Sequence, residues 1–339
     1  MSLLKHPSDP FNSRYTLSIL LLLIILSLLS ILFSLSVGSI DIGLHRVLTV
    51  LFSQSQGMEA RIILDLRMPR VIVGFLVGGM LALAGALMQV LLRNPLAEPY
   101  VLGVSGGASV FALLAMISGL SAVWISTGAF TGAFISILLV FGLSRMGGNW
   151  NPMRVLLTGV VVAAGWGALI SFLLAVSPAA KIHGMLFWLM GDLAYAHYSR
   201  FALAVLMTGL VISMFIARSL NLLTRGEQQA AALGVSVNQL RYFIYFLSSL
   251  LTATAVMQAG GIGFIGLIIP HLVRLLIGSD HRLLLPVSVL LGGCLLVIAD
   301  GLARTIIAPQ QLPVGVLTAM LGVPLFLVLL QTIVARQKP

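Results

Sequence analysis

Apolar runs recurring along the whole chain restrict what this sequence can fold into more than any motif does. Leu17 to Val37 forms a block of 21 residues interrupted only by serine. A helix that crosses a bilayer needs about 20 such residues. Comparable runs, separated by short polar marks, predict spans near 16–37, 70–91, 101–119, 122–144, 155–176, 200–217, 242–260, 262–277, 284–302 and 314–334. Only 8% of residues are charged and 59% are hydrophobic, against about 25% charged in a soluble domain. A soluble core is excluded, and the expectation is an all-α integral membrane protein. About ten transmembrane helices form one bundle, with residues 1–339 as a single domain. The first block has no A-x-A-like cleavage site, so it reads as a retained span.

Orientation is read from Lys and Arg, which gather on the cytoplasmic side. With the N-terminus inside, seven of the 19 cations fall outside: Arg46, Arg61, Arg67, Arg70, Lys181, Arg200 and Arg304. The other twelve fall inside, which favours two cytoplasmic termini. Four of the seven crowd into residues 46–70, where the rule expects few. They are either interfacial anchors that snorkel from helix ends or an outward basic face for an acidic partner. The net charge of +10 comes with no basic cluster interleaved with aromatics, so nucleic acid is not expected as a partner. Membrane lipid is.

One inner loop, 218–241, is polar and helix-forming. Gly226-Glu227 suits the start of a short helix, with the acid in its positively polarised first turn. Leu233-Gly234 suits its end, since glycine accepts the left-handed conformation of a C-terminal cap.

Little in the chain supports chemistry. An ATP site of the P-loop type needs lysine after glycine, and none of Lys5, Lys181 and Lys338 follows one. Gly103-Val104-Ser105-Gly106 with His271 allows an intramembrane serine protease as a remote alternative, although four residues recur by chance in a glycine-rich chain. The histidines, His6, His45, His183, His197, His271 and His281, show no i, i+4 pairing suited to a metal, and the single Cys294 lies in an apolar run. Acids sit at span ends or in loops rather than at mid-span, which argues against a proton-coupled secondary transporter. Residues 260–274, "GGIGFIGLIIPHLVR", contain a literal G-x-G-x-x-G, but no strand or βαβ context surrounds it. Gly260-Gly261 reads instead as a break on the outer side, followed by a short eighth span kinked at Pro270.

Four segments together resemble the permease subunits of ABC importers for iron-siderophores, haem and cobalamin. They are "LRMPRVIVGFLVGGMLALAGALMQVLLRNPLAEPYVLGVSGGA" (66–108), "RGEQQAAALGVS" (225–236), "GGIGFIGLIIPHLVRLLIGSDHRLLLP" (260–286) and "ADGLARTIIAPQQLPVGVLTAMLGVPLFL" (299–327). The resemblance extends over residues 15–335 and implies a type II ABC importer permease fold. It implies pairing with a second permease subunit, identical or paralogous, two cytoplasmic ATPase subunits and a periplasmic substrate-binding protein, in a bacterial inner membrane. No catalytic residue, metal or cofactor is then expected on this chain; ATP and Mg belong to the ATPase. Arg67, Arg70 and Arg304 match positions that meet the binding protein. Thr224, Gly226, Glu227, Ala230, Leu233 and Gly234 match the loop that couples to the ATPase. Asn151, Pro152 and Leu156 fall where a cytoplasmic gate is placed, with Asn-Pro standing where relatives often carry small hydroxyl residues. The family is also built as an inverted repeat, echoed here by "AGALMQ" (84–89) and "ATAVMQ" (253–258).

Overall fold

The computed structural model describes residues 13–38, 40–53, 57–145, 151–194 and 199–336. Lys5, His6, His197 and Lys338 lie outside the described residues. The regular structure among the described residues is helical. The chain runs through α1 (Ser13–Ser36), α2 (Leu44–Phe52), α3 (Met58–Arg61) and α4 (Met68–Leu91), the last two joined by a π-helical segment, Ile62–Arg67. It continues through α5 (Val104–Ile117), α6 (Ala122–Arg145), α7 (Pro152–Val176), α8 (Ala179–Leu189), α9 (Arg200–Arg225) and α10 (Glu227–Ala232). The last four are α11 (Val237–Ala259), α12 (Ile265–Ile277), α13 (His281–Ala303) and α14 (Val314–Arg336). Seven helices are long and apolar enough to cross a membrane, and α5, α12 and α14 carry shorter apolar stretches. Together they account for the ten expected runs.

The bundle is organised around α4, whose apolar window is 89% buried against 11% for α7. The sequence of α4 explains its place. Glycines and alanines leave no side chain between its backbone and those of its neighbours. A Cβ at Gly78 would overlap the Gly292 carbonyl of α13, and one at Gly85 would overlap the Gly266 carbonyl of α12. Gly85→Leu is therefore expected to separate α4 from α12, because inserting methylenes into a tight core costs about 1–3 kcal/mol or more. Gly142→Leu on α6, where an added Cβ meets nothing within 4 Å, serves as control. Thermal unfolding in detergent should drop sharply for the first variant and hold for the second; equal melting would refute this account of the packing.

The eighth span starts deeper in the bundle than the sequence reading has it. Gly266 in the first turn of α12 lies against Leu81 and Gly85 of α4, and the Gln89 amide donates to the carbonyls of Gly266 and Leu267 at 3.3 and 3.2 Å. Leu81 is ten residues before the end of α4, about 15 Å at 1.5 Å per residue. The start of α12 therefore lies deep within the bundle, while Gly260-Gly261 packs on Trp188, Gly191 and Gly315, nearer the end that holds Arg70. Thirteen residues carry α12 only about 20 Å, from that depth to the end of the bundle that bears α10.

The fourteen-residue helix α5 covers the other half. Its start faces the start of α12: Tyr100 Oη accepts the Ile262 N–H at 3.1 Å, and Glu98 Oε1 accepts the Phe264 N–H at 2.7 Å. Two half-length helices thus begin at one internal seam and run to opposite ends. The sequence reads nearly all acids as lying at span ends or in loops; Glu98 is in a non-helical stretch, but that stretch reaches the depth of the seam. The carboxylate supplies an acceptor for an N-terminal amide of α12 that has no partner within its own helix.

Candidate functional site

At one end of the bundle the inner loop holds the short helix that its glycines predict. Gly226 stops α9 with φ 136°, and Gly234 follows α10 with φ 83°, a left-handed value that favours glycine. Gly234 and Val235 donate to the carbonyls of Ala231 and Ala230 at 3.0 Å each, closing the last turn. Ala230 is fully buried beneath the helix, while Gln228, Gln229 and Leu233 are exposed. Thr224 Oγ1 donates to the Asn221 carbonyl at 2.8 Å. Beside Leu233 runs a groove of about 620 Å³ between α9 and α11, reaching Phe243.

Glu227 fixes this helix to the rest of the molecule. Its Oε1 receives Arg93 Nη1 from the segment after α4 at 3.3 Å, and Arg241 Nη2 from α11. Arg241 is almost wholly buried, so the pair is more than a solvated surface contact. A six-residue helix is in this way bonded to the central helix's exit and to α11 through one carboxylate. Glu227's place in the first turn is legible locally; its two arginine partners, 134 and 14 residues away, carry no local signal.

At the opposite end, Arg67, Arg70 and Arg304 do not form an outward basic face. All three are buried, with 6%, 8% and 5% of their surface exposed. Arg67 Nη1 donates to the carbonyls of Leu35 and Ser36 at 2.6 and 3.0 Å, and its Nη2 to that of Ile40. It thereby satisfies carbonyls that the last turn of α1 leaves without intrahelical partners. Arg70 grips Asp300 through Nε at 3.0 Å and Nη2 at 2.8 Å, and reaches Gln311 through Nη1 at 2.8 Å. Arg304 binds the same carboxylate through Nε at 3.1 Å and donates to the Ser34 hydroxyl at 2.6 Å. One aspartate therefore joins α4, α13 and, through Ser34, α1. The correction has a simple cause: position along the chain assigned these guanidinium groups to a surface, but long side chains reach inward when an acid and helix-end carbonyls await them. Arg46, Arg61 and Arg200 are the exposed cations among the seven assigned outside, and Arg46 pairs with Glu59 at 2.5 Å.

Asp192, in the loop after α8, lies 3.7 Å from Arg70. Burial pushes its carboxyl above the usual range, and the Ala194 N–H and Arg70 offset this only in part.

Asn151 and Pro152 open α7. Asn151 Oδ1 accepts the Met153 N–H at 2.9 Å, an N-cap, and proline suits the first helical position. Leu156 is half-buried one turn later. Further along, α7 meets the seam: Trp166 packs over Gly106, and its Nε1 donates to Ser136 Oγ at 3.0 Å. Ser136 in turn donates to the Gly103 carbonyl at 2.8 Å. His271 has no hydrogen-bond partner on either ring nitrogen, so Ser105 and His271 form no nucleophile–base pair. Gly103 and Ser105 instead start α5, Gly103 with φ 70°.

A match to the FecCD transport family extends over residues 22–332. The chain belongs to that family. Among FecCD-type relatives, the uncharacterised ABC transporter permease protein YvrB of Bacillus subtilis (strain 168) is 40% identical over 319 residues, 89% of this chain and 90% of the relative. The hemin transport system permease protein HmuU of Yersinia pestis is 41% identical over 272 residues, 78% of this chain and 81% of HmuU. A solved structure described as an inward-facing conformation of a metal-chelate type ABC transporter superposes with a TM-score of 0.83 and 32% identity. That match covers 93% of this chain and 99% of the solved one. A FecCD-family permease accounts for both the helical order and the glycine-bounded loop at α10.

Proposed function

We propose that this chain is the membrane-spanning subunit of an ABC importer that carries an iron-siderophore, haem or cobalamin inward from a periplasmic binding protein. The observation that carries the reading is α10: a short helix with an exposed face, glycine at both ends, and Glu227 bonding it to α4 and α11. Two ATPase subunits acting on Thr224, Gly226, Glu227, Ala230, Leu233 and Gly234 would move the bundle between two access states. This end is then cytoplasmic, both termini lie inside, and the membrane is the bacterial inner membrane. The chain itself performs no hydrolysis and holds no cofactor; ATP and Mg bind the ATPase.

A second permease subunit, identical or paralogous, would cover α7, which exposes Leu157, Val161 and Phe172 and whose start, Asn151, Pro152 and Leu156, would form the cytoplasmic gate. The role of Arg67, Arg70 and Arg304 in docking is indirect in this reading: they hold the rim that the binding protein meets. Reconstituted uptake tests the proposal. Uptake should require the ATPase subunits, ATP and the binding protein together; accumulation by this chain without an ATPase would establish a secondary transporter instead.

A further inference from the structure

Beside α10, the ends of α4, α9 and α12 and the start of α13 enclose a cavity of about 320 Å³. Gln89, Arg93, Thr224, Arg274, Ser279 and His281 line it, and none of the residues lining it is acidic. The acids nearest in sequence are committed elsewhere. Glu227 binds Arg93 and Arg241. Asp280 accepts from Asn221 Nδ2 at 2.7 Å and from the Arg282 N–H at 3.0 Å.

Two features of this cavity call for an anion. Arg274 has the Gln89 side-chain oxygen as its hydrogen-bond partner and, among the described residues, no carboxylate within ion-pair distance, so most of its donors face the cavity without a counter-charge. His281 is 98% buried by its 2% exposure; its Nδ1 lies 2.7 Å from Asn221 Oδ1, while Nε2 has no partner. Because Asn221 Nδ2 is already donating to Asp280, Oδ1 is the acceptor and Nδ1 carries a proton. Nε2 is itself closed off from the cavity, so the neutral ring adds no donor there. Finally, Arg93 takes φ 49°, an uncommon conformation for a residue other than glycine. That cost is retained where an arginine side chain is placed at the cavity wall.

We propose that this cavity is a binding site for a phosphate group. Two guanidinium groups offer several charge-assisted donors, the set that phosphate oxygens accept, and Thr224 and Ser279 add hydroxyls. The site lies where four helix ends meet, at the end of the bundle that bears α10, and basic pockets between helices on the cytoplasmic side suit lipid phosphates. Free phosphate has the same chemistry and is the other source.

The test uses the purified full-length chain, with inorganic phosphate followed by calorimetry in one arm and phosphatidylglycerol followed by native mass spectrometry in the other. One-to-one binding is expected in at least one arm, and the arm identifies the source. Ser279→Glu, at an exposed rim position, should weaken it by about tenfold to a hundredfold without changing thermal unfolding, since a carboxylate would take the donors. Arg274→Gln should do the same and Arg274→Lys should restore part of the affinity; if Arg274→Gln does not fold, Ser279→Glu decides. Absence of binding in both arms, or binding indifferent to Ser279→Glu, overturns the proposal. Stoichiometric displacement of the bound phosphate by added ATPase subunits also overturns it, and would make the cavity a socket for an acidic side chain of that partner.

Discussion

Asp300→Ala is expected to lower the stability of the folded chain by about 3–5 kcal/mol, the cost of breaking a buried ion pair by removing one partner. Two arginines depend on this carboxylate. Arg70 and Arg304 are both more than nine-tenths buried, and Asp300 itself is 1% exposed. After its removal Arg70 keeps Gln311 at 2.8 Å and Asp192 at 3.7 Å, and Arg304 keeps Ser34, but two positive charges remain close together in a dry site. Folded proteins hold only about 5–15 kcal/mol in reserve, so the loss should appear as poor expression and a large fall in the melting temperature in detergent. Asp300→Asn retains the shape and one acceptor and should fall between the variant and the native chain. Native-like melting of Asp300→Ala would mean that Arg70 and Arg304 find other partners and that the shared carboxylate does not hold this end together.

The second large effect concerns function with the fold preserved. Glu227→Arg puts a third cation between Arg93 and Arg241, replacing two attractions with two repulsions. Glu227 keeps 38% of its side-chain surface exposed, so water and salt soften the change, and the bundle should still assemble. What is lost is the attachment of α10 to α4 and α11. Uptake in proteoliposomes should fall by about 5- to 150-fold, the span given by a coupling free energy of about 1–3 kcal/mol, while ATP hydrolysis by the assembled complex continues. Glu227→Gln removes charge without repulsion and should cost less. Unimpaired uptake in Glu227→Arg would show that movement of α10 reaches the bundle by another route.

The parts of this fold visible in the sequence are those with a local physical cause. Apolar runs identified the helices, and Gly226 and Gly234 marked the ends of α10 because each sits where the backbone turns left-handed or extended beyond a helix end. Asn151 and Pro152 announced the start of α7 for a similar reason. Contacts across long separations were not visible. Arg70 and Asp300 are 230 residues apart, and nothing near either says that one carboxylate serves two guanidinium groups. Hydropathy also treats every apolar run as a crossing. It therefore reads residues 262–277 as a full crossing, although α12 spans only half the depth, and it files Glu98 with the loop acids. The family resemblance says nothing of the burial of Arg67, Arg70 and Arg304.

The seam between α5 and α12 also dictates which way this subunit faces in its surroundings. Residues 98–103 hold a single 3-10 turn, Pro99–Leu102, and residues 260–264 are non-helical, and hydrocarbon tails offer no hydrogen bonds to the amides and carbonyls that such backbone leaves unpaired. Irregular backbone at that depth survives only against protein or around water. Glu98, Gly263 and Phe264 are incompletely covered within the chain. The flank on which they open must therefore be turned away from lipid, and the other flanks are left to meet the bilayer. A contact found between acyl chains and Glu98 would contradict this; a polar environment at that carboxylate is its physical signature.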